Sequence, residues 1–320
     1  MWSFDSDPDL PKLTNSSNEV NPAGTVWKCY PLEMIGPSRS PRRFQASRSR
    51  GQSFLRDKGV VERIVEAIDP HPDETFLEIG AGAGELTLPL ASRGAARVLA
   101  IETDRMLFEK LASMLQKDGK SPEVGEDVEL IHADFLKLDL QKLLSERGIR
   151  RVRVVGNLPF SVASPILFKL LAHRERLVDL TLMFQLEVAQ RLTAVPATKA
   201  YGFLTVVAQQ AAKTELLFTI PPHAFKPRPK VHAAIVKFVP LGKDESPVGD
   251  YEVFRTVVRG LLTHRRKNIS NNIKYLGSQL VSASSIHSGL SEMGIDPNRR
   301  AETLSVEEFA ALSHFCASPQ

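Results

Sequence analysis

Thr75-Phe76-Leu77-Glu78-Ile79-Gly80-Ala81-Gly82-Ala83-Gly84 is the stretch that decides the fold. A short, mostly apolar run breaks on glycines at alternate places, and helical spacing resumes after them. That order is the opening unit of a ligand-binding α/β sheet, in which Gly80 and Gly82 remove side chains so that backbone can pass against a bound molecule. The spacing differs from the dinucleotide fingerprint G-x-G-x-x-G, because Glu85 stands at its third glycine place. Glu78 and Glu85 would repel a pyrophosphate, whereas a sulfonium cation is favoured beside them.

Outward from this turn the pattern alternates. Val60, Val61, Ile64, Val65 and Ile68 recur at helical spacing ahead of it. Short apolar runs follow at Val98–Ile101, Val128–Ile131, Val152–Val155 and Leu180–Phe184, each separated by a helical stretch. Strands alternating with helices predict a doubly wound parallel sheet, Rossmann-like in its α/β class. Val206–Val207 and Val231–Val239 are expected to add strands, the last ending at Pro240. Residues 241–250 read as a linker, and helices are expected over about 250–262, 266–276, 281–293 and 305–315. The expected organisation is a disordered tail over 1–43, an α/β domain over 44–242 and a small all-helical domain over 243–320.

At 320 residues and 42% hydrophobic, the chain can bury one substantial core and a smaller second one. Its apolar runs are too short for a membrane span. The two cysteines, Cys29 and Cys316, lie far apart, and the histidines lack zinc-holding spacings, so a reducing cytoplasm and no metal are expected. Net charge is only +4 but unevenly spread: residues 39–50 carry five arginines and no acid, and residues 222–275 carry eleven Lys/Arg against four Asp/Glu. Basic segments flanking a near-neutral middle suit a polyanionic substrate held beside a small-molecule site. Arg265, Arg266 and Lys267 are the densest such cluster and are expected to meet phosphates.

Acids at successive strand ends extend the site. Glu102 closes the second strand, where a carboxylate can accept from both ribose hydroxyls, and Asp134 closes the third, where it can accept from an adenine amino group. Asn157-Leu158-Pro159-Phe160 follows the fourth strand directly and should project into the same crevice. An Asn side-chain oxygen and a backbone carbonyl beside a proline can accept both N–H bonds of an exocyclic amine and aim its lone pair at a methyl donor. Phe160 can stack on a base taken out of its helix. Asn157, Pro159 and Phe160 are therefore the candidate catalytic residues for methyl transfer from S-adenosylmethionine to a nucleobase nitrogen.

These residues together resemble the ribosomal RNA adenine N6,N6-dimethyltransferase family, whose bacterial members are called KsgA. The likeness spans roughly residues 44–315. It includes Gly51-Gln52-Ser53-Phe54-Leu55, the glycine turn, Glu102, Asp134, Asn157-Leu158-Pro159-Phe160 and Phe225-Lys226-Pro227-Arg228-Pro229-Lys230-Val231. Arg265-Arg266-Lys267-Asn268-Ile269-Ser270-Asn271-Asn272 and Arg300-Ala301-Glu302-Thr303-Leu304 also match, and favour the small-subunit enzyme over its large-subunit relatives.

The resemblance implies that Gln52, Ser53 and Leu55 close over S-adenosylmethionine. Gly80, Gly82 and Glu102 would hold its methionine and ribose ends and Asp134 its adenine, with Asn157 between cofactor and target. Arg228 and Lys230 join the basic cluster as expected RNA contacts. It further implies dimethylation of two adjacent adenines in a small-subunit (16S-type) rRNA hairpin loop, within a pre-ribosomal particle and by a monomer. Three positions depart from the family pattern: Ser53 in place of Asn or His, Phe160 in place of Tyr, and Leu186 in place of Lys.

Two alternatives belong to other classes. A ribosome-assembly or mitochondrial transcription factor could keep the fold and dispense with catalysis, although such a module has little reason to retain Glu102, Asp134 and Asn157 together. A DNA adenine methyltransferase is disfavoured by Leu158, where those enzymes usually carry Pro.

Overall fold

The computed structural model describes residues 53–117, 128–242, 245–276 and 283–317. The expected tail over 1–43 and the candidate cofactor residue Gln52 lie outside the described residues.

In chain order the elements are β1 (Phe54–Leu55), α1 (Lys58–Ile68), β2 (Thr75–Ile79), α2 (Thr87–Ser92), β3 (Arg97–Glu102), α3 (Arg105–Lys117), β4 (Val128–His132), α4 (Leu140–Glu146), β5 (Val152–Gly156) and α5 (Ala163–Leu171). They continue as β6 (Leu177–Gln185), α6 (Leu186–Leu192), α7 (Phe203–Gln209), β7 (Ala212–Ile220), β8 (Phe225–Lys226) and β9 (Ala233–Pro240). The helices α8 (Tyr251–Leu262), α9 (Ile269–Asn272), α10 (Ala283–Glu292) and α11 (Val306–Ala317) complete the described chain.

The main sheet runs β4-β3-β2-β5-β6-β9-β7. Strands β4 to β6 are mutually parallel, but β9 runs antiparallel to both β6 and β7. The expectation of a parallel sheet holds for those five strands and is corrected only at the added strand β9. A second correction concerns Val206–Val207, which lie inside helix α7 with Thr205 to Ala208 buried, while the neighbouring strand is β7. Tertiary packing overrides the β preference of two adjacent valines.

Order along the chain reverses at β2: β3 and β4 are laid to one side of it, β5 and β6 to the other. The carboxyl ends of β2 and β5 therefore flank the switch point, where an open α/β sheet leaves its crevice. At the opposite end of β5, the buried Arg153 ties neighbouring elements together, donating to Asp179 Oδ1 and Oδ2 at 2.9 Å each and to Glu74 Oε2 at 2.6 Å.

Apolar residues cover both faces of the sheet, with Leu77, Leu99, Val154 and Leu182 on one and Phe76, Val98, Val155 and Met183 on the other. A third cluster lies among α8, α9 and α11 and draws in Ala194, Tyr201 and Val206 from before β7. The buried Tyr201 hydroxyl donates to Leu304 O at 2.7 Å, so the helical lobe is built onto the segment that leads into α7.

Candidate active site

The glycine turn after β2 takes a backbone path closed to most residues. Gly80, Gly82 and Gly84 have φ of 76°, 59° and 91°, in the left-handed region that side chains disfavour. Gly80 N and Ala81 N donate to Ile101 O at 2.8 and 3.0 Å, so the turn is stitched across to the end of β3. There the buried Glu102 holds the loop a second time, accepting from Gly82 N at 2.8 Å and from Asp104 N at 2.7 Å.

Across the switch point, Gly156 brings the Asn157 segment close. A Cβ on Gly156 would stand 3.0 Å from Ile79 O, so the two strand ends approach so closely that any side chain there would have to push the neighbouring backbone away. A Cβ on Gly80 would in turn lie 3.7 Å from Asn157 O. The two signature segments, 77 residues apart from Gly80 to Asn157, thus face each other across one crevice.

A cleft of about 770 Å³, counted to its open mouth, lies between them. Its walls include Ser53, Gly80, Gly82, Glu102, Asn157, Pro159 and Phe160 from the expected set. Leu55 is fully buried beneath the site and does not line it. Asp134 lies outside the wall as well. It follows β4, where Ala133 N donates to Glu102 O at 3.1 Å, and its own carboxylate accepts from Leu136 N at 3.0 Å.

Several lining residues were not singled out from sequence: Phe54, Leu86, Thr103, Leu107 and Phe225. Phe54 and Phe225 arrive together because β1 pairs antiparallel with β8, Leu55 opposite Phe225. Strands of two residues each carry too little periodicity to be read, and their pairing spans most of the domain.

The wall is strongly acidic. Glu78, 1% exposed, accepts from Thr87 Oγ1 at 2.5 Å, and burial pushes its carboxyl up to about 8, with the charges of Glu85 and Glu102 adding to the rise and the Thr87 bond opposing it. Glu85 Oε2 accepts from Ala83 N at 3.0 Å, while its buried Oε1 makes no hydrogen bond among the described residues and stands 3.5 Å from the Arg56 guanidinium. A cradle of glycines beside the carboxylates of Glu85 and Glu102, with Glu78 held mostly neutral at about pH 7, fits a cationic nucleoside such as S-adenosylmethionine and disfavours phosphate.

The side-chain amide of Asn157 has no hydrogen-bond partner among the described residues, which leaves its oxygen available to a ligand. Phe160 packs partly against the Leu55 and Phe225 cluster and keeps part of its ring on the cleft. The basic residues lie apart from this wall. Arg228 and Lys230 are exposed on the segment that leaves Phe225.

Arg265, Arg266 and Lys267, expected within a helix, occupy the turn between α8 and α9. Arg265 is engaged inward, pairing with Glu302 at 3.0 Å and donating to Lys199 O at 2.8 Å, whereas Arg266 and Lys267 are exposed.

Comparison with known proteins agrees with this geometry. The family model for ribosomal RNA adenine dimethylase matches residues 43–318. The chain belongs to that family. It is an S-adenosylmethionine-dependent RNA adenine dimethyltransferase.

Ribosomal RNA small subunit methyltransferase A of Geobacter metallireducens is 40% identical over 269 residues, 84% of this chain and 94% of that one. Its namesake from Moorella thermoacetica is 40% identical over 273 residues, 83% and 91% of the two chains. Among solved structures, a dimethyladenosine transferase from Plasmodium falciparum superposes with a TM-score of 0.69 at 23% identity, over 81% of this chain and 95% of that one, and shares the fold. The 23S rRNA methyltransferase ErmE superposes at 0.61 with 25% identity, over 83% of this chain and 100% of that one. Among the described residues no helix is long and apolar enough to cross a membrane, and no group of three or more His, Cys, Asp or Glu is placed to hold a metal ion.

Proposed function

We propose that this enzyme dimethylates N6 of two adjacent adenines in a hairpin loop of small-subunit ribosomal RNA, acting as a monomer on a pre-ribosomal particle in the cytoplasm. The observation that carries the reading is the apposition of Asn157 to the glycine cradle at the switch point. Relatives named for the small subunit, aligned over nearly their whole length, support this RNA over the large-subunit alternative.

S-adenosylmethionine, when bound, supplies a methyl group activated by a sulfonium. Gly80 and Gly82 would bring backbone to its methionine end, Glu102 would accept from its ribose hydroxyls, Asp134 would accept from its adenine, and Ser53 would contact it from the cleft wall, with the buried Leu55 supporting that wall from beneath. The adenine N6 is a poor nucleophile because its lone pair is delocalised into the ring. The Asn157 side-chain oxygen and the Leu158 carbonyl, which precedes Pro159, accept its two N–H bonds and turn that lone pair out of conjugation. Phe160 stacks on the extruded base and offsets part of its unstacking cost of a few kcal/mol. No general base is needed before transfer, since the proton leaves afterwards.

Arg228, Lys230, Arg266 and Lys267 supply phosphate contacts, with Arg265 holding the turn that presents the last two. Incubation with labelled S-adenosylmethionine and immature small subunits, followed by nucleoside analysis, tests the assignment. Dimethyladenosine in small-subunit RNA is expected; small-subunit RNA without labelled dimethyladenosine would overturn it.

A further inference from the structure

Lys169, half-buried in the last turn of α5, directs its ammonium at the carbonyl oxygens of Phe135 and Leu136, each at 2.9 Å, and at that of Leu138. The same nitrogen stands 5.3 Å from the centroid of the Phe135 ring. Carbonyls converging from one short loop make an electronegative pocket, and a compact ammonium with three donors matches it in number and charge. A planar guanidinium, whose donors diverge, matches it poorly.

That loop carries Asp134. Its carboxylate is aimed by the local backbone: Oδ1 accepts from Leu136 N at 3.0 Å, and Lys137 N donates to Asp134 O at 3.0 Å. The direction of the Asp134 side chain therefore follows the conformation of residues 134–138, and Lys169 pins three of their carbonyls. At its other end α5 is continuous with the clamp, since Val162 N donates to Pro159 O at 3.0 Å and the helix starts at Ala163. One rigid helix of nine residues thus spans from Asn157-Leu158-Pro159-Phe160 to the Asp134 loop.

We propose that Lys169 is a positioning residue that fixes the Asp134 loop for the cofactor's adenine and keeps it in register with Asn157. This rests on the reading of Asp134 as the adenine acceptor. Lys169→Met keeps the apolar stem and deletes the cation. Calorimetric titration with S-adenosylmethionine should show affinity lowered by about tenfold, the cost of one charge-assisted contact. Amide exchange at residues 134–138 should rise selectively, and kcat at saturating cofactor should stay within about threefold of the parent, because the loop acts in binding.

Because Lys169 acts through Asp134, adding Lys169→Met to Asp134→Asn should cost little beyond Asp134→Asn alone. Lys169→Arg serves if Lys169→Met does not fold, with the same selective loss expected. A weakened Asp134→Asn beside a normal Lys169 variant, or fully additive losses, overturns the inference alone. Unchanged affinity in Asp134→Asn overturns the reading of Asp134 and the inference with it.

Discussion

Asn157 holds no other described residue by its side chain, so truncating it removes contacts to the substrate and little of the fold. Asn157→Ala should melt like the parent, bind S-adenosylmethionine with nearly the parent's affinity, and lose methyl transfer by ~10² or more, the loss expected for a positioning and transition-state contact. Single-turnover rates check this; an unimpaired rate would remove Asn157 from the chemistry. Glu78 makes the opposite kind of residue, useful to the site and costly to the fold. Between about 4.5 and about 8 the folded chain keeps a proton on Glu78 that the unfolded chain has released. Its contribution to stability is therefore complete below about 4.5 and lost as pH rises through about 8. Glu78→Gln cannot titrate, so the Tm of the cofactor-free protein should fall less in the variant than in the parent between about pH 5 and about pH 8. Parallel curves for the two proteins would show that Glu78 titrates normally.

Among elements, the turn from β2 into α2 tolerates little added bulk. A Cβ on Gly84 would stand 2.7 Å from Leu111 Cδ1 and 3.3 Å from Leu88 Cγ, on a backbone already at φ 91°. Strain and overpacking act together there, so Gly84→Ala should destabilise by about 1–3 kcal/mol, read by denaturant unfolding. Stability equal to the parent would mean that α3 can recede. The strands of the first half were legible because each is a short, mostly apolar run, and β3, β2, β5 and β6 lie inside a sheet covered on both faces. Strand β7 was not: its start, Lys213-Thr214-Glu215, is polar, and a register shift between Leu216 and Phe218 breaks the alternation that marks a half-buried strand.

At the scale of the whole molecule, the helical lobe supplies none of the described residues that line the cleft. Arg265 braces the lobe against Glu302 and Lys199 O, while Arg266 and Lys267 face solvent, so neighbouring residues should fail in different assays. Arg265→Ala should lower Tm, leaving Glu302 less satisfied. Arg266→Glu with Lys267→Glu should leave Tm and cofactor affinity near the parent's and reduce the salt slope of RNA binding by about 1–2, as two phosphate contacts are lost. An unchanged slope would leave these charges as solvated surface only.

The sequence by itself determined the order of strands and helices around the glycine turn, the acidic character that favours a sulfonium over a pyrophosphate, and the residues at the strand ends. All of these are local, set by periodicity, by missing side chains and by charge at fixed spacing. Only the tertiary structure decided that β9 runs against its neighbours, that β1 and β8 close the cleft with Phe54 and Phe225, and that Lys169 holds the Asp134 loop. It also decided that Arg265 turns inward. All but the pairing of β9 with β7 depend on partners more than 30 residues away, and a contact between distant segments is fixed by how the whole sheet packs.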